Sequence, residues 1–285
     1  MILISGATGE LGRLVVDALL TRVPAATVVA GVRDPAKAAD LAARGVTVRR
    51  FDYDAPETLG AALVGVDRLL LISGNAIGQR VSQHAAVIAA AKAAGVKLLA
   101  YTSILGADRS SLGLAAEHAA TEHAIAASGL PAVILRNGWY AENYTGNLQA
   151  TLAHGVLAGA AAAGKVAPAA RKDFAEAAAI VLTTEGHAGR TYELAGDTAL
   201  SLPDVAAIIA AAGGRPVVYQ DMPAAAYAGF LASVGVPKAF AELLADSDVG
   251  LSRGDLNDDS GALRQLIGRP TTPFADVVAQ ALRGV

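Results

Sequence analysis

A glycine-rich turn near the start of the chain has the residue types and spacing needed to bind a pyrophosphate. Gly6, Gly9 and Gly12 form a G-x-x-G-x-x-G pattern in ISGATGELGRLVV, directly after a short apolar run. Gly6 can turn tightly out of a strand, Gly9 lets backbone N–H groups approach a phosphate, and Gly12 lets the next helix pack closely. Because strand, turn and helix follow in this order, the pattern predicts a dinucleotide-binding loop rather than a bare structural turn.

The end of the second strand-like run selects between the two nicotinamide dinucleotides. In GVRDPAK, Arg33 stands at or next to the position where NAD-binding proteins carry an acidic residue, and Lys37 follows. A guanidinium suits a 2′-phosphate, whereas Asp34 could bind a ribose 2′-hydroxyl. Proline after Asp34 is typical of a helix N-cap, so the sequence favours Asp34 as a cap and NADPH as the cofactor. Asp52, which ends the third run, is expected to border the adenine.

The segment GLAAEHAATEHAIAASG, residues 113–129, carries polar side chains that could do chemistry. His118 and Glu122 are four residues apart and therefore share a helix face. Three interpretations remain open: two ligands of a metal ion, an i,i+4 pair on a solvated face, or an acid site in which His118 borders the substrate and Glu122 orients it. No Cys and no other His cluster supports the first interpretation, so no metal is predicted.

This helix lacks the Tyr-x-x-x-Lys pair that a short-chain dehydrogenase would carry, although Ser103 fits the serine of that set. No tyrosine occurs between Tyr101 and Tyr140. Carbonyl reduction benefits strongly from a proton donor, but a quinone or a cationic dye is already electrophilic and needs one less. A pocket that aligns such an acceptor with the nicotinamide can suffice. We therefore expect an NADPH-dependent oxidoreductase acting on a quinone-type acceptor or a cationic dye.

The elements that must position these residues alternate regularly in the first half of the chain. Short apolar runs separated by helical stretches predict right-handed βαβ units and a parallel sheet with helices on both faces. Past Tyr140 the pattern becomes mainly helical, with Asp173 and Ser201 as expected N-caps and the Ala/Gly stretch 156–170 as a linker or a pocket-lining loop. The strand-like runs cover residues 2–5, 27–32, 46–51, 68–73, 97–103 and 132–137.

These patterns predict an α/β protein: a Rossmann fold with a doubly wound parallel sheet, and a smaller, mainly helical C-terminal domain. We expect an NADP-binding domain over residues 1–140, to which later segments return, and a second region over 141–285. The chain has no cysteine, a net charge of −3, and no secretory pattern or long apolar run. It is therefore expected to be cytoplasmic, a monomer or a homodimer, with neither a nucleic-acid nor a membrane partner.

Eight ordered segments resemble the NmrA-like branch of the atypical short-chain dehydrogenases: GATGELG, RDPAKA, LLLISG, YTSILGAD, LAAEHAATE, LRNGWYAENY, YELAGD and LADSDVG. The resemblance spans nearly the whole chain and implies NADPH binding by a Rossmann domain. It also implies hydride transfer to a quinone-type acceptor, with triphenylmethane-type dyes or other electrophilic aromatics as the alternative acceptors. A non-enzymatic regulator that senses NADP(H) stays open as well. The implied cofactor-binding residues are Gly6, Ala7, Thr8, Gly9, Glu10, Leu11, Gly12, Arg33, Ser73, Gly74, Thr102, Ser103, Asn137, Gly138, Trp139 and Tyr140.

The resemblance further implies that residues 141–285 are mainly a substrate-binding region, with a pocket beside the nicotinamide that is faced by Tyr140, Asn143 and Tyr144. The alternative is that Tyr140 and Tyr144 form a simple aromatic stripe and that Trp139 packs in the core. Phe174 is expected to close the pocket from the second domain.

Three further polar residues have open roles. Arg80 and His84 could reach a phosphate or cap a helix. Hydrogen bonds from His118, and from Tyr140 or Asn143 in the implied pocket, are expected to stabilise the product anion without being essential.

Overall fold

The computed structural model describes residues 1–284, and its largest element is a seven-stranded sheet. The strands of the described residues, which include those of two smaller sheets, are β1 (Ile2–Ser5), β2 (Val28–Val32), β3 (Thr47–Arg50), β4 (Arg68–Leu71), β5 (Leu98–Ile104), β6 (Ala132–Asn137), β7 (Val156–Gly159), β8 (Lys165–Val166), β9 (Thr191–Leu194), β10 (Leu200–Ser201) and β11 (Val218–Asp221). The large sheet has the order β3-β2-β1-β4-β5-β6-β9, and β1 to β6 pair in parallel. The predicted doubly wound α/β fold is confirmed.

Helices separate these strands and dominate the end of the chain. They are α1 (Glu10–Leu20), α2 (Ala39–Ala43), α3 (Glu57–Ala62), α4 (Arg80–Ala93), α5 (Ala115–Ser128), α6 (Glu142–Thr145), α7 (Leu148–His154), α8 (Arg171–Thr183), α9 (Leu202–Gly213), α10 (Ala224–Ser233), α11 (Lys238–Ser252), α12 (Ala262–Ile267) and α13 (Phe274–Leu282). Short 3₁₀ turns cover Ala25–Thr27 and Pro35–Ala38. Within residues 1–284, no helix is both long and apolar enough to cross a bilayer.

The chain divides into two compact units. The first unit holds residues 1–107, 116–137 and 172–192, and the second holds 108–115, 138–171 and 193 onwards. In the first unit, β1 and β2 are buried along their whole length because helices cover both faces of the sheet. The second unit contains two small sheets, β10 with β8 and β11 with β7.

The predicted elements agree with the structure except at a few boundaries in the second half. All six strand-like runs form strands, and Ser201 caps α9 in a capping box with Asp204. Asp173 is not an N-cap, because α8 already begins at Arg171. The backbone N–H of Arg171 instead donates to both carboxylate oxygens of Glu142, at 2.9 and 3.0 Å, so a residue distant in sequence replaces the local cap.

Two other predictions for the second half were incomplete. The stretch AENYTGNLQATLAHG forms two helices, α6 and α7, rather than one, because the helix ends at Gly146 and restarts after Asn147. The Ala/Gly stretch 156–170 is not a linker, since it contributes β7 and β8 to the two small sheets.

Candidate functional site

A groove of about 630 Å³ lies at the carboxyl edge of the sheet in the first unit. This volume falls within the range of small-molecule sites, roughly 300–1,000 Å³. The groove is lined by the turn after β1 and by the chain that leaves β2, β3 and β4. It brings together most of the predicted cofactor residues: Gly6, Thr8, Gly9, Glu10, Leu11, Gly12, Arg33, Lys37, Asp52, Ser73 and Gly74.

The glycine turn has the geometry of a phosphate cradle. Gly6 adopts a φ of +59°, and the Gly9 N–H donates to the Gly6 carbonyl at 2.9 Å. A Cβ at Gly12 would lie 2.3 Å from the Gly6 carbonyl oxygen and 2.8 Å from Ala7 Cα, so only glycine allows α1 to approach this closely. The N-cap residue of α1, Gly9, has no side chain to accept from the N–H groups of the first turn, which leaves them able to bind an anion.

Positive charge collects beside this turn, at the end of β2. Arg33 and Lys37 are exposed and line the groove. Asp34 Oδ1 accepts the Ala36 N–H at 3.1 Å, so Asp34 is the N-cap of the following turn, as predicted. Sequence reasoning missed Arg13 on α1, which donates to the Lys37 carbonyl at 3.2 Å and pairs with Asp40. That pairing holds the pKa of the Asp40 carboxyl below its ordinary value.

The opposite wall of the groove contains a tyrosine and a glutamine that sequence reasoning also missed. The Tyr53 hydroxyl lies 2.6 Å from Ser5 Oγ and 2.7 Å from the Ile72 carbonyl oxygen, which ties the end of β3 to β1 and β4. Burial raises the pKa of Tyr53. Gln83 Nε2 donates to Asp54 Oδ1 at 2.6 Å. Both residues come from segments whose polar pattern carries no motif, so only their neighbours in the fold reveal them.

Four predicted cofactor residues are buried and do not line this groove: Ala7, Thr102, Ser103 and Asn137. Thr102 Oγ1 accepts the Ser73 N–H at 2.9 Å and so supports a residue that does line it. Their predicted contact with a cofactor stays a prediction.

Glu122 belongs to a buried ion pair rather than to a pair with His118. Its carboxylate oxygens accept from Arg136 Nε at 3.0 Å and Nη2 at 2.7 Å, and Ser103 Oγ donates to it at 2.5 Å. The side chains of Glu122 and Arg136 are only 14% and 8% exposed. The interpretation of a solvated helix face is therefore wrong.

His118 is also buried, with a relative exposure of 5%. Its Nδ1 lies 2.8 Å from the Tyr101 hydroxyl, and its Nε2 lies 3.4 Å from Arg80 Nη1. Burial, followed by the charge of Arg80 and the neighbouring His84, lowers the pKa of His118 to about 3. The imidazole is therefore neutral at pH 7, with both ring nitrogens engaged inside the first unit.

Arg80 and His84 hold one residue of the groove wall from both sides. Arg80 Nε donates to the Gly74 carbonyl oxygen at 2.5 Å, and His84 Nε2 accepts the Gly74 N–H at 3.1 Å. Both side chains are buried, so they act on the backbone of this segment.

Tyr140 and Tyr144, which are predicted to contact the substrate, lie in the second unit, as does Trp139, which is predicted to contact the cofactor. The Trp139 and Tyr144 ring centroids are 6.4 Å apart, and Tyr144 packs edge-on against Phe274 at 5.9 Å. The Arg171 guanidinium lies 4.8 Å from the centre of the Tyr140 ring.

The remaining predicted residues of this region differ in exposure and position. Gly138 donates its N–H to the Leu194 carbonyl at 2.7 Å, and Asn143 is exposed. Phe174, expected to close a pocket from the second domain, belongs instead to the first unit and is 1% exposed. It lies among the buried residues of α8.

Asp248 is a buried carboxylate of the second unit that sequence reasoning did not single out. Its Oδ2 accepts the Ala160 N–H at 2.7 Å. Burial is the main cause that raises the pKa of Asp248 to about 6. The only sequence signal was its place within LADSDVG, which identified a segment but no role.

Known proteins are similar to this chain over nearly its whole length. Quinone oxidoreductase 2 of Escherichia coli is 54% identical over 279 residues, which cover 98% of this chain and 98% of that protein. The crystal structure of an NADPH-dependent quinone oxidoreductase from E. coli, complexed with NADPH, matches with a TM-score of 0.96 and 53% identity over 99% of this chain and 100% of that one. Triphenylmethane reductase of Citrobacter sp., complexed with NADP(H), matches with a TM-score of 0.95 and 40% identity over 99% and 100% of the two chains.

The family follows from these matches and confirms the resemblance seen in the sequence. Residues 1–249 match the NmrA-like family, and these residues contain the whole glycine turn, the cationic end of β2 and the buried histidines. The chain belongs to the NmrA-like family.

Proposed function

We propose that this protein is an NADPH-dependent oxidoreductase that transfers hydride to a quinone-type acceptor. The observation that carries the proposal is the groove of the first unit, where an uncapped helix N-terminus stands beside Arg33 and Lys37. The 54% identity to quinone oxidoreductase 2 of E. coli supports the same function.

The groove residues fit NADPH rather than NADH. The N-terminus of α1 would hold the pyrophosphate, and Arg33 with Lys37 would hold the 2′-phosphate. Asp34, the residue that could serve a ribose 2′-hydroxyl, already accepts a backbone N–H at 3.1 Å. When bound, NADPH supplies a hydride from its nicotinamide ring.

The chain's own residues favour an acceptor that needs no strong acid. Helix α5 carries no tyrosine, and its buried His118 is neutral at pH 7. A quinone gains charge that its ring delocalises, so hydrogen bonds to its oxygen help without full proton transfer. We keep Tyr140, Asn143 and Tyr144 of the second unit as the residues that contact the acceptor.

Triphenylmethane-type dyes are the second candidate class of acceptor. The 40% identity to the Citrobacter triphenylmethane reductase favours them. The purified protein is assayed for NADPH oxidation with a small benzoquinone and for decolourisation of a cationic dye. Turnover of the quinone supports the main proposal, and turnover of the dye alone supports the second. NADPH binding without turnover of either would support the NADP-sensing role instead.

The cofactor assignment is tested by Arg33→Ala, with affinity for NADPH and NADH measured by titration. Each charge-assisted hydrogen bond contributes roughly 1.5–3 kcal/mol, so NADPH affinity should fall about tenfold to 150-fold. NADH affinity should stay nearly unchanged. Arg44→Ala is the matched control, since Arg44 is an exposed arginine that pairs with Asp17 outside the groove lining. Equal losses for both dinucleotides in Arg33→Ala would remove the 2′-phosphate role.

We also propose a cytoplasmic location and a monomeric or homodimeric state. A cytosolic pool of NADPH and the lack of cysteine both fit the location. Analytical ultracentrifugation with and without NADPH distinguishes the two oligomeric states.

A further inference from the structure

The segment that follows β4, residues 73–79, lines the groove but contains no helix or strand. Backbone N–H and C=O groups in such a segment cannot bond within a helix or a ladder and need other partners. Ser73, Gly74, Asn75 and Ala76 of this segment line the groove. The groups that hold the segment therefore influence the shape of the groove.

Helices α4 and α5 supply those groups. The Gly74 N–H donates to His84 Nε2 at 3.1 Å, and the Gly74 carbonyl accepts from Arg80 Nε at 2.5 Å. The Gly78 N–H donates to Glu117 Oε1 at 2.8 Å. Glu117 Oε2 also lies 3.8 Å from Arg80 Nη1, which joins the two helices.

The proton positions in this network follow from its donors. His84 Nε2 faces an N–H and must be unprotonated, so Nδ1 carries the proton and donates to Thr121 Oγ1 at 3.0 Å. His118 Nε2 faces Arg80, whose guanidinium only donates. His118 Nδ1 therefore carries the proton and donates to the Tyr101 hydroxyl at 2.8 Å.

The surroundings keep both rings neutral. His84 and Tyr101 are 0% exposed, and Thr121 is 1% exposed. Burial, then the charge of Arg80, lowers the pKa of His84 to about 4. A neutral ring can accept a hydrogen bond at Nε2, as both positions require, whereas a charged ring would turn a donor toward a donor.

We propose that His118 is a positioning residue, which acts through Arg80 and together with His84 holds Gly74 in the wall of the NADPH groove, and which donates no proton to the acceptor. This inference rests on the proposed function. His118 acts through its Nε2, which orients the guanidinium that in turn holds the Gly74 carbonyl. Its loss therefore weakens NADPH binding and leaves the hydride-transfer step nearly unchanged.

The test compares His118→Gln with His118→Asn. The glutamine amide oxygen can take the place of Nε2 and accept from Arg80, whereas the shorter asparagine amide takes the place of Nδ1. The dissociation constant for NADPH is measured by fluorescence titration, and kcat is measured with a saturating small benzoquinone. We expect the asparagine variant to bind NADPH about tenfold more weakly, with kcat within about twofold of wild type. The glutamine variant should regain most of the affinity.

Three results would overturn the inference. A loss of kcat beyond about a hundredfold at intact NADPH affinity would make His118 a proton donor. Equal NADPH affinity in the two variants would exclude a role for the acceptor at Nε2, and unchanged affinity in both would exclude positioning altogether. Failure of the wild-type protein to bind NADPH would instead contradict the proposed function.

A second variant covers the case in which His118→Asn does not fold. Thr121→Val keeps the shape of the side chain but removes the oxygen that accepts from His84 Nδ1. We expect weaker NADPH binding with kcat unchanged, since His84 then loses the bond that orients its ring toward Gly74. Wild-type NADPH affinity in a folded Thr121→Val protein would contradict the positioning network.

Discussion

The two units each contain a buried polar cluster, and the clusters differ in how completely their polar atoms are bonded. In the first unit, His84, His118, Tyr101 and Thr121 bond to one another or to Arg80 and Gly74, and the buried Glu117 Oε2 has no hydrogen bond but lies 3.8 Å from Arg80. In the second unit, Trp139 Nε1 and the Tyr144 hydroxyl are buried without a hydrogen bond of ordinary geometry to any residue in the described range.

This difference indicates separate roles for the two clusters, one that holds the structure in place and one that contacts a ligand. Buried polar groups in folded proteins are nearly always bonded, so a bonded network fixes a shape, whereas a buried group without a partner can bind a ligand or a water. The first cluster therefore suits a role in holding the NADPH groove. The second suits contact with an acceptor oxygen, in line with the role proposed for Tyr144. The predictions below begin with the first unit and end with the second.

The largest effect is expected at the glycine turn. Gly12→Ala would place a Cβ 2.3 Å from the Gly6 carbonyl oxygen, which forces the backbone of the phosphate cradle to move. We expect NADPH affinity to fall more than about a hundredfold, even though alanine is favoured over glycine inside a helix by about 1 kcal/mol. Gly60→Ala in α3 is the control, because a Cβ there meets nothing within 4 Å. Titration with NADPH checks both, and normal binding by Gly12→Ala would remove the cradle from the proposed function.

The second prediction concerns the buried ion pair between Glu122 and Arg136. Glu122→Ala removes the carboxylate that faces a guanidinium with an exposure of 8%. Breaking such a pair costs about 3–5 kcal/mol in the free energy of unfolding. Glu242→Ala in the second unit is the control, since its partner Lys238 is 85% exposed and the pair lies at 3.9 Å. In urea denaturation, Glu242→Ala should change the free energy of unfolding by less than about 0.5 kcal/mol. Similar losses of stability in Glu122→Ala and Glu242→Ala would contradict the importance of burial for the first pair.

The contrast between the clusters also explains which residues the sequence could predict. Gly6, Gly12 and Asp34 act within their own turn, so local spacing is enough to identify them. The groove assembles because the carboxyl ends of parallel strands meet at one edge of the sheet. Arg80 and His118 contact each other across 38 residues, and neither has a local pattern that names its partner.

The predicted start of α8 was wrong for the same physical reason. Asp173 has the residue type and position of an N-cap, but the Glu142 carboxylate caps α8 two residues earlier from 29 positions away. Asp248 could not be identified from the sequence either, because its raised pKa comes from burial and not from its neighbours in the chain. Chemistry set by local backbone conformation is predictable from the sequence, whereas chemistry set by burial requires the fold.

The third prediction uses the two buried histidines. Their folded pKa values, about 4 for His84 and about 3 for His118, lie below the ordinary value of 6.5. Between these folded pKa values and 6.5, the unfolded chain binds more protons than the folded protein does. The stability contributed by the two neutral rings is therefore fully present above about pH 6.5 and is lost as the pH falls. From pH 7 to pH 5 the two rings together should lower the free energy of unfolding by about 3–4 kcal/mol.

Urea denaturation at the two pH values measures this loss, and the difference between wild type and His118→Gln isolates one ring. The glutamine variant should lose about half as much stability from these two groups as wild type does. Identical pH dependence of the two proteins would mean that His118 titrates normally, contrary to its burial.

The smallest effect, and the one of opposite sign, is expected at Asp248 in the second unit. Its folded pKa of about 6 lies above the ordinary value of 3.8, so the folded protein binds the proton more tightly than the unfolded chain. This contribution to stability is present at low pH and is lost as the pH rises through about 6.

Asp248→Asn replaces the carboxylate with a neutral amide that can still accept the Ala160 N–H. At pH 8 the variant should be more stable than wild type by about 3 kcal/mol, and near pH 4 the two should be nearly equal. Denaturation curves at both pH values decide it. A variant less stable than wild type at pH 8 would mean that the hydrogen bond from Ala160 favours the carboxylate more than burial and the nearby Asp221 disfavour it.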